Sequence, residues 1–139
     1  MRPFFLLAAV ICFGMAILKS YSAWMSVKST VRAKPNAPYL TLTPEAAKAR
    51  LDASEEVILL DVRTQEEYDA GHIPGAVCLP NEDIQADLPL PFEKEAEILV
   101  YCHSGHRSAE AADKLASMGY RNVADFGGIQ DWPYETTTD

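Results

Sequence analysis

Basic residues are scarce in this chain. Twelve Lys and Arg stand against 20 Asp and Glu, giving a formal net charge of −8. The basic footprint that non-specific nucleic-acid binding requires is therefore absent. Cysteine is scarcer still. Three residues, Cys12, Cys78 and Cys102, make neither a disulfide framework nor a C-x-x-C pair. The chain also lacks heptads, internal repeats and long low-complexity tracts, which excludes coiled coils and solenoids. What remains is the composition of an ordinary globular protein, 48% hydrophobic and 23% charged. Its 139 residues make one domain with a core that stands without staples.

The first 24 residues differ from the rest. Arg2 leads into "PFFLLAAVICFGMAIL", 16 residues ending before Lys19. That run is short for a spanning helix and typical of a signal-peptide core. Residues 1–24 are expected to be an export signal or a membrane anchor, with possible cleavage after Ser22 or membrane association through residues 4–18. The protein is thereby expected to be exported, whether periplasmic, secreted or anchored. Residues 25–38, "MSVKSTVRAKPNAP", are basic, polar and proline-containing and read as a flexible linker. Without residues 1–24 the chain loses Arg2 and Lys19 but no acid, so its charge becomes 10 − 20 = −10.

From Tyr39 to Glu135 the pattern changes to strand-length apolar runs alternating with helical segments, followed by a short tail at 136–139. "YLTL" is a short strand, and Thr43 caps a helix with Pro44 at its first position and an end near Ala53. "VILLDV" (57–62) is uniformly apolar until its end, as in a strand covered on both faces. Thr64 and Glu67 form a capping box for a short helix that Gly71 stops. A short strand is expected at 76–79, a short helix capped by Asn81, and a loop over "LPLPFEKEAE". "ILVY" (98–101) is a second buried strand, followed by the "CHSGHRS" loop and a helix from about Ser108 to Gly119. "NVADF" is the last strand, and "GGIQDW" leads to a final helical turn. Alternation of this kind predicts an α/β domain with a mostly parallel sheet and helices on both faces. In such sheets ligands sit beyond the carboxyl ends of the strands, which is where Cys102 falls.

The loop has the parts of an anion cradle. A glycine between strand and helix lets consecutive backbone N–H groups aim at one point, and the helix start adds unsatisfied donors. Arg107 brings a permanent cation with a planar fork of donors. These donors stabilise a thiolate, so Cys102 suits nucleophilic attack and a covalent adduct on sulfur. His103 and His106 donate or accept according to tautomer. The plainer reading is that Cys102 is a small buried hydrophobe. A zinc site is disfavoured because Cys102, His103 and His106 are too crowded for one tetrahedral ion, and no second ligand cluster appears.

Three motifs, "LLDVRTQEEYDAGHIPGA" (59–76), "CHSGHRS" (102–108) and "GYRNVADFGGIQDW" (119–132), resemble those of the rhodanese domain of sulfurtransferases, over about Tyr39 to Glu135. The resemblance implies a five-stranded α/β domain in which Cys102 is catalytic and carries a persulfide. It implies that backbone donors of His103, Ser104, Gly105, His106, Arg107 and Ser108 hold the persulfide, and that Arg107 holds an anionic donor such as thiosulfate. It also implies a small donor anion and a thiol, cyanide or protein acceptor as partners, with no cofactor. Phosphatases of the related fold place one residue more between cysteine and arginine, so the narrower loop here favours sulfur transfer over dephosphorylation or arsenate reduction. His103 stands where strongly thiosulfate-active members carry arginine, which implies modest turnover. A non-catalytic persulfide-binding or partner-docking module is the rival reading.

Other polar residues read as structural. Asp61 and Arg63 match the family's "DVR" and are expected to support the loops as a polar pair. His72 is expected to bond backbone near the Ile73-Pro74-Gly75 turn. Cys78 is expected to be an inert core thiol remote from Cys102, and Trp132 to Tyr134 to pin the C-terminus.

Overall fold

The computed structural model describes residues 37–139. The expected signal or anchor (1–24) and linker residues 25–36 lie outside the described residues. Five strands, β1 (Leu40–Thr41), β2 (Ile58–Asp61), β3 (Val77–Cys78), β4 (Glu97–Cys102) and β5 (Asn122–Gly128), form one sheet in the order β1-β5-β4-β2-β3. Every pairing is parallel. The helices are α1 (Pro44–Ala53), α2 (Gln65–Ala70) and α3 (His106–Ser117), with 3-10 turns at Asn81–Asp83 and Ile129–Asp131.

Alternation along the central strands divides the core in two. Ile98, Val100 and Cys102 of β4 join Leu60, Val62, Ala111, Ala112, Leu115 and Val123 in one cluster, which takes in α3. Leu99 and Tyr101 join Leu59, Ala46, Ala47, Ala124, Phe126 and Trp132 in the other, which takes in α1. Both faces of β4 are thus apolar, which is why its sequence reads as an unbroken run rather than an alternating one. The consequence for function is local. Tyr101 and Cys102, neighbours in sequence, finish the strand on opposite faces of the sheet.

The helix ends follow the sequence signals. Thr43 Oγ1 accepts from the Ala46 N–H at 3.2 Å, with Pro44 opening α1. At α2, Thr64 Oγ1 accepts from the Glu67 N–H, and the Glu67 carboxylate accepts from the Thr64 N–H. Three expectations need correction. Asn81 does not cap a helix; it lies inside the 3-10 turn, and its carbonyl and side-chain oxygens accept from Lys114 Nζ at 2.9 and 3.1 Å. The α3 helix begins at His106 rather than about Ser108, because Gly105 takes the N-cap position in left-handed conformation. Cys78 is half-buried rather than a core thiol, since β3 is a two-residue edge strand.

Strand β5 carries a further device. Val100 pairs with Asp125 but Cys102 pairs with Gly128, so β5 inserts one extra residue where β4 ends. Gly127, at φ +93°, accommodates the bulge, and its N–H donates to Asp125 Oδ1 at 2.9 Å. The shift carries the end of β5 against the loop that follows Cys102.

Candidate active site

Cys102 ends β4 on the face covered by α3, whose first turn follows after only three intervening residues. The residue is 1% exposed. Its Sγ accepts from the Gly105 N–H at 3.0 Å and lies 3.6 Å from Ser108 Oγ. Ser108, also fully buried, holds its hydroxyl near the carbonyls of Gly105 (3.1 Å) and Gly127 (3.3 Å). The opening N–H groups of α3 have no carbonyl within the helix, so the sulfur faces donors and the positive helix end together. His103, Ser104 and His106 are exposed around this cradle.

Two glycines set the loop's shape. Gly105 has φ +100°, a conformation that strains any other residue, and a Cβ there would lie 3.4 Å from Gly127 Cα. Gly128 is tighter: a Cβ would fall 2.2 Å from the His103 carbonyl oxygen. The end of β5 therefore forms the floor under the cysteine loop. Gln130 fastens the same loop, its backbone N–H donating to His103 O at 3.3 Å while its side-chain Nε2 sits 2.7 Å from His103 Nε2.

Arg107 is not turned to the sulfur. Its Nη1 and Nη2 fork onto Glu67 Oε2 and Oε1 at 2.7 and 2.9 Å. Glu67 Oε2 also accepts from the Thr64 N–H and hydroxyl, at 3.0 and 3.2 Å. The Arg107 hydrogen bonds, foremost, hold the Glu67 carboxyl down at about 2. Reciprocally, Glu67 raises the Arg107 guanidinium further above its ordinary value, with smaller contributions from Cys102 and Glu82.

Asp61 and Arg63 lie on the other face, in a closed network. Arg63 Nε and Nη2 donate to the Asp61 carboxylate at 2.6–3.1 Å, and Nη2 also donates to Gly71 O. The Tyr101 hydroxyl donates to Asp61 Oδ2 at 2.7 Å and accepts from the Ile73 N–H at 3.1 Å. Burial foremost, then the adjacent Asp61 charge, push the Tyr101 phenol well above its ordinary value. Burial opposes the Arg63 charge, but the Asp61 bonds and charge outweigh it. His72 stacks on Tyr68 at 3.7 Å and bonds the Tyr68 carbonyl through Nδ1, while its backbone pairs with Thr137. Trp132 packs on Phe126 and Tyr134 and donates to Glu135 O. Burial, then the Asp61 charge, push the Cys78 thiol up, so this second thiol is held in its less reactive form.

A cavity of about 930 Å³ lies at the opposite edge of the sheet, among Arg50, Glu97, Arg121 and Asn122. Among the described residues its lining holds no cysteine or histidine, and it lies where the strands begin, whereas Cys102 lies where β4 ends. The structure thus brings residues 102–108 together and leaves Asp61 and Arg63 apart from them. Sequence reasoning missed Glu67 as the partner of Arg107, and Gly128 and Gln130 as supports of the loop. The capping box accounts for Glu67 locally and gives no sign of a second partner. The Gly127-Gly128 pair after an apolar strand was the available signal for close backbone approach.

A family model described as a rhodanese-like domain matches residues 43–134. YrkF of Bacillus subtilis is 38% identical over 93 residues, 66% of this chain but only 50% of that protein, so the chain spans half the length of this relative. The thiosulfate sulfurtransferase GlpE of Pseudomonas entomophila is 36% identical over 92 residues, covering 66% of this chain and 82% of that one. A crystal structure of a rhodanese-like domain protein from Staphylococcus aureus superposes with a TM-score of 0.63 at 32% identity, over 71% of this chain and 97% of that one.

Proposed function

The chain belongs to the rhodanese-like domain family, and from that premise we propose that it is a sulfurtransferase working through a persulfide on Cys102. The Cys102 thiolate attacks the outer sulfur of thiosulfate or of a persulfide donor. With thiosulfate, a new S–S bond forms on Cys102, the donor's S–S bond breaks, and sulfite leaves with the electron pair. An acceptor thiolate or cyanide then takes the outer sulfur and restores the Cys102 thiolate, a ping-pong cycle. His103, Ser104, Gly105, His106, Arg107 and Ser108 supply the donors that hold the terminal sulfur. Asp61 and Arg63 keep the loop's support in place from the other face.

The observation that carries this reading is the Gly105 N–H at 3.0 Å from Cys102 Sγ, at the start of α3. Four residues separate Cys102 from Arg107, a ring suited to one sulfur atom more than to a tetrahedral oxyanion. Steady-state transfer from thiosulfate to cyanide, compared with Cys102→Ser, tests it. Turnover lost in the variant supports catalysis. Cys102-independent rates with every small donor favour the rival, a module that passes its persulfide to one protein partner. We further propose that residues 1–24 direct export or anchoring; unprocessed chain found soluble in cytoplasm would contradict this.

A further inference from the structure

The cation expected to attract an anionic donor is already matched by a fixed anion. Arg107 has five N–H donors, and two of its nitrogens fork onto Glu67 at 2.7 and 2.9 Å. Glu67 is not a mobile surface carboxylate. It is the third residue of α2 and closes the capping box, tied to Thr64 by two further bonds. The Arg107 bonds hold its carboxyl down at about 2, so it is ionised at neutral pH. Glu82, on the 3-10 turn after β3, adds a second negative charge within electrostatic reach of Arg107. His103 Nε2 lies 2.7 Å from Gln130 Nε2. Glu67 thus offsets the Arg107 charge through a direct two-bond contact, and Glu82 acts on Arg107 in the same direction. Such a site discriminates by charge rather than by shape, because repulsion grows with every negative charge the donor carries.

Resting on the sulfurtransferase reading above, we propose that Glu67 is a specificity-determining residue that turns the site toward singly charged or neutral sulfane donors and away from dianions. It does so by occupying the Arg107 fork and cancelling its charge. Glu67 touches neither substrate nor sulfur, so it acts through Arg107.

Two donors isolate the charge. Thiosulfate is a dianion; methanethiosulfonate carries the same transferable sulfur with a methyl group in place of one charged oxygen. Each gives up one sulfur to the Cys102 thiolate, releasing sulfite or methanesulfinate with the bonding pair. The measurement is kcat/KM for each donor, with cyanide as acceptor, in the full chain and in Glu67→Gln. Glutamine keeps one acceptor oxygen for the Thr64 N–H while removing the charge and one of the two acceptors of the Arg107 fork. The expected result is a rise of roughly fivefold to tenfold in the thiosulfate-to-methanethiosulfonate ratio at low ionic strength, mainly through KM, shrinking as salt is added. If Glu67 merely aligns Arg107, both donors lose rate together and the ratio stays put, which overturns the proposal. Should Glu67→Gln fail to fold, the ratio is followed against salt in the unaltered chain, where a rise with ionic strength is expected and a flat or falling ratio overturns the proposal. No Cys102-dependent turnover with either donor in the unaltered chain would instead contradict the sulfurtransferase reading itself.

Discussion

Two neighbouring residues, Tyr101 and Cys102, end the same strand with the same kind of company and opposite fates. Each has a hydroxyl or thiol near an arginine and a carboxylate. On the Tyr101 face the pair is Arg63 with Asp61, with side chains only 6% and 0% exposed, and every partner is a fixed protein group. On the Cys102 side the pair is Arg107 with Glu67, with side chains 28% and 33% exposed, beside a helix start with free N–H groups. Closure makes the first cluster structural. The Arg63 Nε and Nη2 donors and the Tyr101 hydroxyl are all spent on fixed protein acceptors. The second keeps unsatisfied donors around a nucleophile, which is what a covalent intermediate on sulfur needs.

The contrast breaks most visibly through stability. Asp61→Ala leaves Arg63 buried without its partner and the Tyr101 hydroxyl without its acceptor. We expect a loss of about 3–5 kcal/mol, read from chemical denaturation. A loss below about 1 kcal/mol, the range of exposed pairs, would mean that the two pairs are energetically alike. Gly128→Ala comes next. Its Cβ collides with the His103 carbonyl at 2.2 Å, so the cysteine loop must move. The expected cost is about 1–3 kcal/mol, with turnover falling more than tenfold while the circular-dichroism spectrum persists. Normal turnover would show that the loop is not set by β5.

Acid sharpens the comparison on the other side. Glu67 has its carboxyl lowered from 4.5 to about 2 in the folded chain. A depressed carboxyl contributes stability above its unfolded value, and that contribution fades as pH falls through the folded one. The unaltered chain should therefore lose stability between about pH 4.5 and 2 more steeply than Glu67→Gln; parallel acid limbs would contradict the ion pair. The pair is partly exposed, so the effect at neutral pH stays below about 1 kcal/mol. The smallest stability change is expected at His103, which is exposed. His103→Arg should alter stability by less than about 0.5 kcal/mol yet raise thiosulfate:cyanide turnover. An unchanged or lower rate would show that the charge missing at this position does not limit the enzyme.

The same comparison explains what was legible beforehand. Strands β2 and β4 and the caps at Thr43 and Thr64 were visible because periodicity and capping are local signals. The position of Cys102 at a strand end followed from them. The helix start at His106 was misplaced by two residues because a left-handed Gly105 can serve as a cap without any side-chain oxygen. Asn81 looked like a cap by type, but Lys114, 33 residues away, takes its oxygens. The Glu67 fork spans 40 residues and the Gly128 contact joins the end of β5 to the cysteine loop. No local pattern encodes either. The half-exposure of Cys78 depended on strand order, which places β3 at the sheet edge.

The central claim is that Cys102 carries the transferred sulfur. The most direct measurement is the intact mass of the protein after incubation with thiosulfate and removal of excess donor. The unaltered chain should gain one sulfur atom, released by cyanide, and Cys102→Ser should gain none. The same gain in both proteins, or no gain in either, would contradict the claim.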